Sequence, residues 1–228
     1  MYMDLSPLWI SIKTSLVSTI ITFFIGIAVA WFAANHRSRL KGFLDAVMTL
    51  PMVLPPTVVG FFLLLVFGRQ SPIGKFLYSL GTQIIFSWQA AVIAATVVAF
   101  PLMYKTSCGA FEQIDRNVIN AARTLGVSEW KIFWSITVPL AWPGIAAGTV
   151  LAFARALGEF GATMMVAGNI PGKTQTVPIA IFFAAESGEM GKALVWVLLI
   201  LFVSLAVMTL MNYWTGYQKR VLSVAGGK

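Results

Sequence analysis

Five long stretches of the chain are almost entirely apolar: Thr14–Ala34, Ala46–Phe67, Ile84–Tyr104, Ile132–Ala154 and Ala193–Tyr217. A helix needs about 20 apolar residues to cross the hydrocarbon core of a bilayer, and each stretch reaches that length. The interval from Ala156 to Lys192 is different, because Glu159, Pro171, Lys173, Pro178 and several glycines interrupt it. Its longest clean piece, Thr174–Ala185, is too short to cross and reads as a re-entrant or surface segment. The pattern predicts an all-α polytopic membrane protein with about five spanning helices, near 12–34, 46–67, 84–105, 135–156 and 193–215. Six spans are the alternative if 174–185 also crosses.

Composition agrees with a bilayer as solvent. The 228 residues are 58% hydrophobic and 11% charged, with a mean hydropathy of +0.84, more apolar surface than a soluble domain of this length could hide. The net charge is +8, and its placement sets a topology. His36-Arg37-Ser38-Arg39-Leu40-Lys41 joins the first two runs, Lys105, Arg116, Arg123 and Lys131 lie between the third and fourth, and Lys219, Arg220 and Lys228 follow the fifth. With alternating spans these segments share one side, and they hold 10 of the 16 Lys and Arg residues. The positive-inside tendency puts that side in the cytoplasm, with the N-terminus outside and the C-terminus cytoplasmic. Trp9, Trp88, Trp130, Trp134 and Trp214 fall near span ends, where interfacial anchors sit. No basic groove with interleaved aromatics points to nucleic acid. The first run also lacks the basic region and cleavage site of a removable signal peptide.

Enzyme chemistry is thin. His36 is the only histidine and Cys108 the only cysteine, so no metal-ligand set, cofactor site or disulfide framework is expected. No base and orienter accompany any serine or threonine. Ala167 to Thr174 fits a loose phosphate-loop pattern, but that chemistry needs a strand before it and a helix starting at the Lys-Thr pair. Pro178 opposes a regular helix there. The chain is not expected to hydrolyse ATP by itself.

The spans are not plain anchors. Pro51, Pro55, Pro56 and Gly60 lie in the second run, Pro101 in the third, and Pro139 and Pro143 in the fourth. Proline deletes a backbone donor, and in lipid the freed carbonyls need other partners. Several such breaks in consecutive spans favour a conduit or a moving bundle, with the second and third spans and the glycine-rich 158–172 segment as moving parts. In the fourth run Gly144, Gly148, Ala152 and Ala156 recur every fourth residue, a ridge for close helix contact within or between subunits. Arg155 and Glu159 follow at the outer end of that helix, spaced to meet on one face. They read either as a neutralised structural pair or as a gate in which Arg155 helps an anion pass, and the adjacent carboxylate favours the first reading.

Between the third and fourth runs, residues 106–134 carry a helical pattern with Ile114, Val118, Ala121, Ala122 and Leu125 on one side, a stop at Gly126, and a new helix opened by Ser128 as N-cap. Such a helix across the base of a bundle can dock in a groove of a soluble partner, with the small Ala121 and Ala122 allowing close approach.

This segment resembles the EAA loop in the permease subunits of binding-protein-dependent ABC importers of the type I fold. The family pattern is matched here by Asn120, Ala121, Ala122, Gly126, Ile136, Val138 and Pro139. Asn120 replaces the family's Glu, so a salt bridge from that position is not carried over, and Val138 replaces a Leu. The segment from Leu50 to Gly60, with Gly68-Arg69 and Ile73-Gly74, is similar to the second-span signature of molybdate permeases. Ala154 to Ala162 and Gly168 to Pro178 are similar to the oxyanion branch. The resemblance implies a type I transmembrane domain over 8–217, a cytoplasmic coupling loop at 106–134 and a cytoplasmic tail at 218–228. It further implies a homodimer in a bacterial inner membrane, two cytoplasmic ATPase subunits and an extracytoplasmic binding protein delivering molybdate, or tungstate. A sulfate or thiosulfate permease subunit is the alternative within transport. A channel or scaffold without an ATPase is the alternative outside it, and would have no need of the loop from Val118 to Pro139.

Overall fold

The computed structural model describes residues 4–35 and 41–225, with 212 and 214–225 described by backbone alone. Residues 36–40, which include His36, Arg37 and Arg39, and residues 226–228 with Lys228 lie outside the described residues. The regular elements among the described residues are all helical, without strands. They run α1 (Ser6–Asn35), α2 (Lys41–Val53), α3 (Pro56–Phe67), α4 (Pro72–Ser79), α5 (Trp88–Glu112), α6 (Arg116–Thr124), α7 (Glu129–Ile132), a π turn (Phe133–Thr137), α8 (Val138–Leu157), α9 (Gly161–Ala167), α10 (Val177–Glu186) and α11 (Met190–Ala225).

Among the described residues four helices are long and apolar enough to cross a bilayer: α1, α5, the continuous Glu129–Leu157 rod and the Met190–Met211 part of α11. The fifth predicted span is not straight. Its halves α2 and α3 meet at a 110° bend at Leu54–Pro55, where prolines 55 and 56 withhold two donors in succession. The third predicted span, by contrast, is unbroken: α5 passes through Pro101 and is not a hinged part. The 174–185 segment holds α10, whose 10 residues reach only about 15 Å.

The packing is inverted relative to a soluble protein. On α1 the buried face is Ser11, Thr14, Ser15, Ser18, Thr19, Thr22, Gly26 and Ala30, whereas Trp9, Leu16, Ile20 and Phe24 face outward. Lipid solvates the large apolar side chains, so small residues are kept for helix contacts. Several of the buried hydroxyls donate to carbonyls one turn back on α1, as Ser15 does to Ser11 O at 2.8 Å and Thr19 to Ser15 O at 2.6 Å, so these hydroxyls are satisfied within their own helix. Two others reach across: Thr14 accepts from Trp88 Nε1 at 2.9 Å, and Ser11 Oγ accepts from Val177 N at 2.8 Å.

The ridge on α8 is a contact within the subunit. A Cβ on Gly144 would stand 2.5 Å from Ala110 Cβ, and one on Gly148 would collide with Thr106 Oγ1 and lie 3.1 Å from Met103 Sδ, all on α5. Ala152 and Ala156 are buried in the same core. The ridge is therefore committed to α5 and is not free to form a dimer contact at these glycines. Replacing Gly148 with Leu should lower stability by about 1–3 kcal/mol through overpacking, read as an earlier thermal transition in detergent; an unchanged transition would show that α5 does not sit on this ridge.

Candidate functional site

Two features stand out, one at the α6 end of the bundle and one half-way along it. Asp115 caps α6 by accepting from Asn117 N at 2.9 Å. The helix stops at Gly126, whose φ of +74° suits glycine, with Val127 N donating to Ala122 O at 3.1 Å as a left-handed C-cap requires. Ser128 occupies the N-cap position of α7 but its side chain accepts no capping bond. The corner is instead fixed by Arg123, which grips Glu129 through two contacts of 2.6 and 3.0 Å and reaches Asn120 Oδ1 at 3.4 Å.

The faces of α6 differ from the expected single apolar side. Ala122 is buried (7% exposed), whereas Val118 (44%) and Leu125 (82%) point away from the body with the exposed Ala121. Helical spacing alone does not make this division, because Ala122 follows Val118 by four residues and lies near its face; the surrounding chain covers Ala122 at the edge of the stripe and leaves 118, 121 and 125 open. Ala121 is thus placed to touch another molecule and Ala122 is not. Ile136 lies half-buried in the π turn and Pro139 opens α8. The widened turn has a local cause: Pro139 has no N–H and would press on the carbonyl of residue 135, and Val138 N already bonds five residues back, to Phe133 O. Beneath α6 is an open cavity of about 800 Å³ lined by Trp31, Asn35, Lys41, Glu112, Arg116 and Arg123 among others.

The second feature is the break between α8 and α9. Gly144 and Gly148 pack beside Ala110 and Thr106, so α8 runs antiparallel to α5, and two turns beyond Gly148 it reaches the middle of α5. Ala162 and Val166 of α9 then pack with Ala90, Ala94 and Val98. Arg155 and Glu159 therefore sit at mid-depth, about 15 Å from the end of α5 by helical rise, rather than at the outer end of a span. Glu159 Oε2 is 2.8 Å from Arg155 Nη1, an ion contact too oblique to count as a hydrogen bond. Glu159 Oε1 accepts from Ala162 N at 2.8 Å and so holds the start of α9. The Glu159 side chain is 1% exposed and that of Arg155 31%. One carboxylate serves a cation and a helix end, which fits the neutralised pair rather than a free anion-attracting arginine.

The bend of α2 and α3 lies at the same depth. A Cβ on Gly161 would be 3.1 Å from Pro56 and 3.3 Å from Thr57, and a Cβ on Gly60 would be 2.7 Å from Met165 and 3.0 Å from Ala162 Cα. Two interrupted helices thus meet backbone to backbone in the membrane interior. Prolines and glycines mark both interruptions in the sequence, but no local signal reports which breaks share a depth. Tyr104, whose hydroxyl donates to Asp45, and the Lys41–Glu112 pair at 2.7 Å are not among the residues expected from the sequence. Their signal was present: Tyr104, Cys108 and Glu112 recur every fourth residue on one face of an apolar span.

The phosphate-loop look-alike is closed. Thr174 is fully buried, its Oγ1 accepting from Ile170 N at 3.1 Å, so the hydroxyl is used by its own loop. No helix opens at Lys173-Thr174: residues 171–174 form a turn and α10 starts only at Val177, with Pro178 in its first turn, where its missing donor costs nothing. Cys108 is buried and unpaired by disulfide. No group of three or more metal-ligating side chains occurs among the described residues.

Comparison with known proteins places these features in context. The sequence profile described as "binding-protein-dependent transport system inner membrane component" matches residues 23–216. The chain is 44% identical over 205 residues to the molybdenum transport system permease protein ModB of Escherichia coli, covering 89% of this chain and 88% of that one. It is 44% identical over 181 residues to ModB of Haemophilus influenzae, covering 79% of each. Among solved structures, a methionine ABC transporter superposes with a TM-score of 0.72 at 17% identity, over 93% of this chain and 94% of that one, a likeness of fold alone.

Glu159→Gln, which removes the counter-charge but keeps an acceptor for Ala162, should cost about 1–3 kcal/mol as an unpaired buried polar group, measured by thermal unfolding in detergent. Adding Arg155→Met should recover most of that loss. A single variant as stable as the parent would show that the ion contact does not hold the break together.

Proposed function

The chain belongs to the family of binding-protein-dependent transport system inner membrane components, and from that premise we propose that it is the permease subunit of an ATP-driven importer carrying molybdate, or tungstate, into the bacterial cytoplasm. The observation that carries the substrate is the 44% identity to a molybdenum transport permease over nearly the whole of both chains. The α6 corner carries the coupling, because a channel has no use for a rigid exposed helix at its base.

In this reading two copies of the chain form one central path. The α6 end is cytoplasmic and each α6 docks in an ATPase subunit, offering Val118, Ala121 and Leu125 to a groove. An extracytoplasmic binding protein delivers the oxyanion at the opposite end. A tetrahedral dianion crossing lipid bare would face a prohibitive desolvation cost, so it needs hydroxyls, amides and helix ends that solvate it without holding it. Movement of the two α6 helices as ATP binds would open and close the mid-depth junction of α3 and α9, alternating access between the two sides.

Reconstituted with its ATPase and binding-protein partners in vesicles, the chain should take up molybdate only with ATP, with tungstate competing strongly and sulfate weakly. Stronger competition by sulfate would favour the sulfate alternative, and ATP-independent flux would favour a channel. Ala121→Glu should abolish uptake and ATPase binding while leaving thermal stability unchanged, whereas Ala122→Glu should lower stability itself, by burying a charge. Normal uptake by Ala121→Glu would remove α6 from the mechanism.

A further inference from the structure

None of the 13 residues of α2 is buried, which is unusual for a helix inside a bundle, so what holds it in place matters. It is fastened to α5 by a polar ladder. Lys41 Nζ lies 2.7 Å from Glu112 Oε1, and one turn along α2 and two turns back along α5 the Tyr104 hydroxyl donates to Asp45 Oδ1. Cys108 fills the rung between, its Sγ 3.7 Å from Glu112 Oε1. Tyr104 is almost fully buried and stacked on Phe100 with centroids 5.9 Å apart, so the α5 side of the ladder is fixed. Beyond the ladder only the partly buried Met48 and, past the helix end, Leu54 pack against the two core clusters.

The two ends of α2 lie at the two features already described. At one end Glu112 closes α5 and the chain continues directly into the cap of α6 at Asp115, so a displacement of α6 pulls on the residue that holds Lys41. At the other end α2 turns through 110° into α3, and α3 packs closely on α9 through Gly60, where a Cβ would collide with Met165, and Gly161, where one would be tight against Pro56 and Thr57. The alternative conductor, α5, is buried along most of its length against α1, α8 and α9 and cannot shift without repacking the core.

We propose that α2 is the connecting rod of the transporter, with Lys41, Asp45, Tyr104 and Glu112 as positioning residues that pass movement of α6 to the junction of α3 and α9. The inference rests on the reading of the chain as an ATP-coupled importer. A rod of this kind needs a grip that is directional, so that it pulls as well as pushes, and yet separates without exposing apolar surface. The bond from the buried Tyr104 supplies a directional grip, and the part-exposed Lys41–Glu112 pair can part into water, whereas an interdigitated apolar face would do neither.

The test uses the whole transporter in proteoliposomes, with molybdate as the probe and uptake counted per ATP hydrolysed. Glu112→Lys and Lys41→Glu should each leave assembly and ATP hydrolysis in place but lower the transport-to-hydrolysis ratio by about tenfold, within the usual span of coupling energies. Combining the two restores opposite charges and should recover most of the ratio. Tyr104→Phe, which deletes only a hydroxyl, carries the same expectation in milder form and remains informative if the charge variants fail to assemble. The chain's only cysteine gives an independent reading: Cys108 should react faster with a membrane-permeant maleimide during ATP turnover, and in Glu112→Lys without ATP. An unchanged ratio in assembled Glu112→Lys or in Tyr104→Phe, or charge reversal that fails to rescue an assembled pair, would overturn the rod. Absence of ATP-coupled uptake in the unsubstituted transporter would instead sink the functional reading beneath it.

Discussion

Backbone polar groups inside a bilayer must be satisfied by the protein, because lipid offers them nothing. Everything unusual about this fold follows from how that demand is met half-way across. The chain interrupts two helices there, at Leu54–Pro55 and at Gly158–Phe160, and sets the interruptions against one another. Glycines 60 and 161 let the backbones touch, and Glu159 supplies an acceptor for the amide that starts α9 while facing Arg155. A straight helix at either place would need none of this, and would have nothing to move.

Away from that junction the subunit is packed to resist change. Hydroxyls and small residues of α1 and α8 face α5, and the large side chains are given to the lipid. The arrangement separates a stiff core of α1, α5 and α8 from a lightly held arm of α2 and α3. That contrast is what the proposed transport cycle requires, since an input at α6 would have to reach the interior through something able to shift.

Much of this was legible in the sequence, for identifiable reasons. Apolar run length marks spans because hydrocarbon thickness is fixed, and the stop at Gly126 is legible because a left-handed residue favours glycine. Family and substrate class were legible through the spacing from Asn120 to Pro139 and the segments around Leu50 and Ala154. Other properties depend on three-dimensional neighbours. Two adjacent alanines look alike in sequence, yet Ala122 is buried and Ala121 exposed because the body covers only one side of α6. Pro101 was expected to break its helix but is carried within α5, inside a tightly packed core that gives it no room to open. Arg155 and Glu159 are expected from the sequence at the outer end of a span, whereas α8 ends beside the middle of α5 and the separate α9 packs along the rest of it.

The central claim is that the mid-depth junction moves when the ATPase partners bind nucleotide. Thr57 is an exposed residue of α3 at that junction, so a spin label at Thr57→Cys, in a chain with Cys108→Ala, would report on it. The distance between the two labels of the assembled dimer would be measured in lipid, without nucleotide and with ATP trapped by vanadate. The account predicts that the distance distribution shifts between the two states, while labels on the packed core, at Thr96 on α5, stay in place. An identical Thr57 distribution in both states would contradict it.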